Sequence, residues 1–565
     1  MVARGAEANH VLVLIDGIEA NDLAQGSEFN FANTLTDGIE RIEIVRGPQS
    51  ALWGSDALAG VINIISAPGA GPLTVGGYAE AGSFSTWRAG GNIAAGAARY
   101  HFNLNGSAQD SGGTNVSRKG NEDEGFAMGA VSLNAGYELR PNLEFTIHAR
   151  HEASTSQFDN IDFLFTGLPA DSNAETETKQ DFAGARARLS LLDGHWEQRL
   201  GATFTGTRND NFTDRVETGS GVGKKHRIEY QTSYLFDTTR VWGSTHVLTF
   251  AVEHELEDFR QRGPSTPFGD PNQDLSLHST ALVGEYRVRA AESFSFSAGV
   301  RYDANSDFAD ATTLRFTASW SPTMLPGTRL HSTWGEGVKN PTFSDRFGFF
   351  AASIPPFMGN PDLRPEYSTG WDAGVAQELY NSRARIGVTY FREKLEDEID
   401  SFAFDPARNV FTAMNTDGTS RRQGIEVTAS AELSLRLKVN VAYTWLAAVQ
   451  PDPMRGMTPE VRRPGHVASV NANYAFAEDR ANINVNVTYT GAQLDTFFPP
   501  FPRPPKGVTL HGYTLLTLAG SYRVTGNLSL YARVENLLDQ DYEEVFGFRA
   551  PGVAAFAGIR LSLQP

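Results

Sequence analysis

Cysteine does not occur among the 565 residues, so the chain forms no disulfide framework, no thiolate metal site and no cysteine nucleophile. Also missing is any apolar run near the roughly 18 residues that a membrane-crossing helix needs. The longest conspicuous run is Val11 to Ile15, which excludes a helical membrane protein. Basic residues are in deficit, 48 Lys and Arg against 66 Asp and Glu, for a formal charge of −18. With no basic stripe to release counterions from a phosphate backbone, nucleic acid is not an expected partner. The HExxH, GxSxG and GxxxxGK[ST] patterns are absent, and neither catalysis nor a resident cofactor is expected.

What the chain has in quantity is glycine (55), phenylalanine (36), tyrosine (17) and tryptophan (8), placed around alternating segments. From Ile425 to Trp445 every second residue is apolar, and of the residues between them only Ala442 is not polar. A period of two puts one set on each face of a sheet. The stretch is longer than the roughly 9 to 11 residues of a tilted membrane-crossing strand, so it reads as a hairpin turning near Glu432 to Ser434. Shorter versions occur at Ile483 to Thr490, Leu528 to Val534 and Ile559 to Leu563. A soluble sandwich or propeller also alternates. The length of the pattern, the aromatics at strand ends and the lack of a blade-length repeat favour a membrane barrel. Pro-rich stretches such as Gln261 to Asp274 and Thr496 to Gly507 are loops, because proline lacks the ladder N–H.

The start reads differently. "HVLVLIDGIEAND" is a continuously apolar strand entering a turn, "RIEIVRGP" alternates and then breaks at Gly47 and Pro48, and "GVINIIS" is another short strand. Continuously apolar strands belong in a buried sheet. Residues 1–67 are therefore expected to form a small α/β unit ahead of a barrel spanning 68–565.

Together with "ERIEIVRGPQSALWGSDALAGVINIIS", "GNPDLRPEYSTGWDAGV", "RRQGIEVTA" and "VENLLDQDYEEVFGF", these motifs resemble the TonB-dependent outer-membrane receptors, in particular the cobalamin receptor group. The resemblance implies an all-β membrane protein, a 22-stranded antiparallel transmembrane barrel with a partial plug in its lumen. It implies uptake of a bulky, scarce ligand, a cobalamin or related corrinoid, powered by the inner-membrane TonB complex. A ferric siderophore receptor and a passive porin are the alternatives. Outer-membrane lipids are the expected surroundings and a monomer the expected state.

The family holds its plug by charge contacts, and the matching positions here are Arg4, Arg46, Asp372 and Glu426. Alternation points both acids into the lumen, since Trp371, Ala373, Ile425 and Val427 face outward. The segment resembling a ligand-facing apex is Asn21 to Asn33. Its Asn21, Asp22, Gln25, Ser27, Glu28 and Asn30 offer hydrogen bonds, and Phe29 and Phe31 offer apolar surface. Phe497, Phe498 and Phe501 on the Pro-rich late loop, with Phe347 to Phe350, are further ligand candidates. Asp159, Asp162 and Asp171 supply the hard oxygens that calcium takes in the loops of the cobalamin receptor, but their spacing fits no defined motif and reads as a solvated charge run.

Against the family pattern, the opening "MVARGAEANH" has no signal peptide and begins at what resembles the middle of a plug. A longer, exported product carrying the TonB-pairing segment is the expectation. The closing "RLSLQP" lacks the terminal aromatic common in such barrels.

Overall fold

The computed structural model describes the chain except residues 1–3, 119, 239–242, 351–354, 453–454, 501 and 564–565. No described helix is long and apolar enough to cross a membrane, and the crossing is made by strands. From Thr74 onward each long strand pairs antiparallel with its neighbour, and the last, Ala554–Leu563, returns to the first, Thr74–Gly82, with Phe556 opposite Gly82 and Leu563 opposite Val75. The product is a closed barrel of 22 strands. Closure matters because an open edge in hydrocarbon would leave backbone polar groups without partners.

The alternation is realised in the hairpin of strands Thr419–Glu432 and Leu437–Asp452, where Ile425 lies opposite Trp445, Val427 opposite Tyr443 and Ala429 opposite Val441. Its turn occupies residues 433–436, slightly later than expected. The apolar alternation runs on through Leu433 and Leu435, which are 65% and 94% exposed, so it does not mark where the ladder stops. Ser434 does, because its hydroxyl accepts from the N–H groups of Arg436 and Leu437.

Around the barrel, Ile93, Val131, Ile147, Leu200, Ile228 and Leu248 are exposed, an apolar band facing outward as lipid requires. At the end with short turns, Tyr100, Tyr137, Trp196, Tyr234, Phe294 and Trp320 are also exposed and form an interfacial girdle. That end corresponds to the periplasmic side of such barrels, and the long loops to the outside. The strands Pro169–Leu191 and Val216–Thr238 have 23 residues each, about twice what a crossing needs, and continue beyond the membrane on the loop side.

The N-terminal unit is a four-stranded sheet, β1 (Val11–Ile15), β2 (Ile18–Glu19), β3 (Ile39–Arg46) and β4 (Gly60–Ser66), in the order β2-β1-β4-β3. β1 and β4 run parallel and the other pairs antiparallel. A short helix, α1 (Ser50–Trp53), links β3 to β4. β1 is buried throughout because both of its faces are covered. Val11, Val13 and Ile15 pack with Phe29, Ile62, Ile64 and the wall residue Phe182, while Leu12 and Leu14 pack with Ala57 and Val61. Every residue of β1 therefore needs to be apolar. β3 is the exception, with Ile42 and Ile44 about half exposed.

Over the outer mouth, loop segments Phe349–Phe350, Phe357–Met358, Ile399–Asp405 and Val410–Asn415 form a small sheet. Its phenyl rings stack, Phe402 on Phe411 at 4.5 Å and on Phe357 at 6.1 Å.

Candidate functional site

The sheet sits inside the barrel and is tied to the wall by buried charge. Arg4 is the centre of the first cluster. Its Nη1 donates to Asp372 Oδ2 at 3.1 Å, and its Nη2 and Nε fork onto the two oxygens of Glu426 at 3.2 and 3.5 Å. A third wall carboxylate, Glu393, lies 3.8 Å from Nη1, and the guanidinium rests on the Phe391 ring, 4.5 Å from its centroid. A planar, always-charged fork is the side chain suited to hold several carboxylates at once. Gly47 makes the fit possible. At φ +81° it adopts a backbone shape that favours glycine, and a Cβ there would come within 3.1 Å of Arg4 Nη1.

Arg46 joins the same cluster more loosely. It reaches Glu426 at 3.5 Å with its side chain 45% exposed, whereas that of Arg4 is 5% exposed. The structure thus brings together all four residues singled out as plug–barrel contacts, with Arg4 rather than Arg46 at the centre. Glu393 was not anticipated.

A second tie is His10, whose Nε2 lies 3.1 Å from Glu366 Oε2 with both side chains buried. Burial alone would push the imidazole down, but the Glu366 charge and hydrogen bond outweigh it and hold His10 above its ordinary value.

The third tie surrounds Lys225 of strand Val216–Thr238. Its ammonium is 2.6 Å from Glu19 on β2, 2.7 Å from Glu257, 3.3 Å from Glu255 and 3.8 Å from Asp56. Asp56 is also paired with Lys339. Burial drives the Glu19 carboxyl well above the ordinary range even against Lys225. For Asp56 burial is outweighed by Lys339 and Lys225, which hold it below. Glu19 and Asp56 are thus pushed in opposite directions, the one by burial and the surplus of carboxylates, the other by its lysines.

The segment expected to face ligand divides in two. Asn21 is 2% exposed. Its Oδ1 accepts from Val13 N, and its Nδ2 donates to the carbonyls of Val11 and Ser27, all within 3.0 Å, so its amide is consumed inside the sheet unit. Asp22 is buried against the wall and accepts from Asn209 Nδ2 at 2.7 Å and from Ala24 N at 2.8 Å. Burial raises it to about 6. Ser27 is buried in a turn at φ +58°, and Phe29 is part of the β1 core. These four are corrected from ligand-facing to inward positions. Polar and aromatic residues in a short loop look alike whether they close the loop or greet a ligand, and only packing separates the cases. Gln25, Glu28 and Asn30 are exposed, and Phe31 is half-buried, edge-on to Phe29 at 4.8 Å.

Of the late-loop phenylalanines, Phe498 is 47% exposed and Phe497 packs on Phe546 at 5.2 Å; Phe501 lies outside the described residues. Asp159, Asp162 and Asp171 turn to neighbouring N–H groups instead of converging. No group of three metal-capable side chains occurs among the described residues.

A closed barrel with a folded sheet locked in its lumen by buried charge defines a plugged outer-membrane receptor. The comparisons agree in detail. Residues 1–61 match the TonB-dependent receptor plug domain, and residues 70–537 match the TonB-dependent receptor-like β-barrel. The chain belongs to the TonB-dependent receptors. It is similar to the vitamin B12 transporter BtuB of Photobacterium profundum, 27% identical over 95% of this chain and 82% of that protein. It is 26% identical to the BtuB of Vibrio vulnificus over 96% of this chain and 81% of that one. Among solved structures, the siderophore receptor PirA of Acinetobacter baumannii superposes with TM-score 0.81 at 16% identity, over 99% of this chain and 91% of that chain. The ferric enterobactin receptor PfeA of Pseudomonas aeruginosa, in complex with enterobactin, does so with TM-score 0.79 at 17%, over 99% and 92%. At these identities the structural matches speak for the fold.

Proposed function

We propose that this receptor sits in an outer membrane and takes up a cobalamin or related corrinoid, with the TonB complex supplying the force that moves the plug. The observation that carries the ligand assignment is the similarity, over nearly the whole chain, to proteins named as vitamin B12 transporters. The barrel supplies a lumen wide enough for a bulky ligand. The plug keeps that lumen from being an open pore, which argues against a passive porin. Exposed Gln25, Glu28 and Asn30, half-buried Phe31 and the phenyl-rich outer sheet offer the mixture of hydrogen bonds and flat apolar surface that a corrinoid ring would use. The role is transport without catalysis, by a monomer.

The ties to the wall give this transport its control. Arg4 holds three wall carboxylates, of which only Glu426 has a second cation, the more exposed Arg46. Moving the plug must therefore hydrate or re-pair these groups, which resists spontaneous opening. The deciding experiment is titration of the purified protein with cyanocobalamin, alongside a ferric catecholate siderophore. Saturable binding of cyanocobalamin at micromolar concentration or below is expected. Binding of the ferric siderophore alone would transfer the receptor to the siderophore group.

A further inference from the structure

The carboxylate of Glu366 is shared by two bodies that lie far apart in the chain. One oxygen, Oε2, takes the hydrogen bond of His10 Nε2 from the plug at 3.1 Å. The other, Oε1, accepts from the backbone N–H of Ile399 at 2.9 Å. Ile399 opens the strand Ile399–Asp405 of the outer sheet, and Glu366 opens the wall strand Glu366–Leu379. Glu366 and His10 are 2% and 1% exposed, so neither bond is open to bulk water.

Ile399 belongs to the body of the outer sheet. It packs with Phe357, Leu363, Phe411 and Ala413, and Phe411 carries the exposed rings of Phe402 and Phe404 at 4.5 and 5.5 Å. The residue before it, Glu398, is bonded to Arg422 and Ser420 of the wall. Ile399 is therefore where the sheet leaves the wall, and a tilt of the sheet turns on the N–H that faces Glu366.

Among the described residues, His10 is the one cation-forming side chain within 4.0 Å of Glu366. If the plug carries His10 away while the sheet stays seated, the carboxylate remains buried with a single backbone donor, which is a costly state. If the sheet lifts first, the Ile399 N–H departs and water reaches the carboxylate. A hydrated ion pair then holds with a fraction of its buried strength. Each departure favours the other.

We infer that Glu366 couples the outer sheet to the plug, so that displacing the sheet loosens the plug at His10. Cargo entering the lumen displaces the sheet over the mouth and so prepares the plug for release. This last step rests on the uptake reading above; the coupling does not, and it is tested without cargo. A second route joins the same bodies, from Ser401 Oγ to Asp345 of the helix Phe343–Phe347 and from Asn340 N to Ser55 Oγ of the plug. No single side chain bridges that one, and the test separates the two.

Amide hydrogen exchange of residues 8–15 is followed in the full chain in detergent, with the wall strand Val216–Thr238 as the measure of an intact barrel. F411A removes the ring at the centre of the sheet, and E366A removes the bridge. F411A should speed exchange of the plug segment about tenfold, E366A should do the same, and F411A added to E366A should change it less than twofold. E366Q, whose amide still accepts from Ile399 and donates to His10, should lie between the wild type and E366A. A full tenfold response to F411A in the E366A background would move the coupling to the Ser401 route and overturn the role of Glu366. Unchanged plug exchange in F411A would overturn the coupling itself. F402A, at an exposed ring, repeats the cycle with a milder perturbation should F411A fail to fold. Failure of cyanocobalamin to bind would sink the corrinoid reading and leave this cycle unaffected.

Discussion

Two charged regions of one lumen follow opposite rules. Around Lys225 and Lys339, where the plug meets the wall, every cation lies against a carboxylate. In the wall below the Arg4 cluster lie Arg287, Arg289, Arg315, Arg329 and Arg385, and among the described residues only Arg287 is within 4.0 Å of a carboxylate, Glu285. Coulomb energy and desolvation explain what each arrangement serves. A buried, paired charge becomes expensive only when its partner is removed, so it holds position. An unpaired charge open to water is already solvated and holds nothing in place.

Removing a member of each region breaks the comparison most directly. Arg4→Ala leaves Asp372 and Glu393 without a cation and Glu426 with only the half-exposed Arg46, and should cost the docked plug about 3–5 kcal/mol. Calorimetry together with protease cleavage of the plug would register it, and a loss below about 1 kcal/mol would show that the carboxylates re-pair at no expense. Lys225→Met should come next at a few kcal/mol, because it removes the cation shared by Glu19, Glu255 and Glu257. Arg385→Gln, by contrast, should leave the melting temperature unchanged or slightly raised, since it relieves like-charge crowding; a clear destabilisation would erase the distinction between the regions.

A smaller effect concerns pH. His10 is held above its ordinary value, so its ion pair with Glu366 is intact below about pH 6.5 and is lost as pH rises through the raised value. Asp22, raised to about 6 by burial, works in the same direction at lower pH, its contribution being full below about pH 4 and lost by about pH 6. Plug docking should weaken from mildly acidic to mildly alkaline pH, and His10→Gln should flatten the slope. A slope unchanged in H10Q would remove His10 from the account. Arg46→Gln should matter least, at about 1 kcal/mol or below, because its guanidinium is half exposed and 3.5 Å from Glu426.

Much of this was legible beforehand. Period-two alternation placed Asp372 and Glu426 in the lumen, and the unbroken apolar run of β1 announced a strand buried on both faces. Glu393 escaped because strand Ala384–Glu396 reverses its pattern near the outer end. Phe391 and Leu395 point inward and are buried, while Arg392, Lys394 and Glu396 point out, since there the outer face has left the hydrocarbon. Lys225 follows Lys224, and nothing in that pair says which one enters the lumen. Asn21, Asp22, Ser27 and Phe29 were read toward a ligand because a loop's composition does not say which of its residues close it.

The sequence by itself determined the barrel, the separate plug unit and the face on which most charged residues lie, because these follow from local period and from the solvent on each side. Tertiary structure alone decided which charges meet. Arg4 and Glu426 are 422 positions apart, and Glu19 and Lys225 are 206 apart. No local pattern carries that information, since strand register and the seating of the plug set each partner. The same closure left Arg289, Arg315, Arg329 and Arg385 of the lower wall without a carboxylate within 4.0 Å among the described residues.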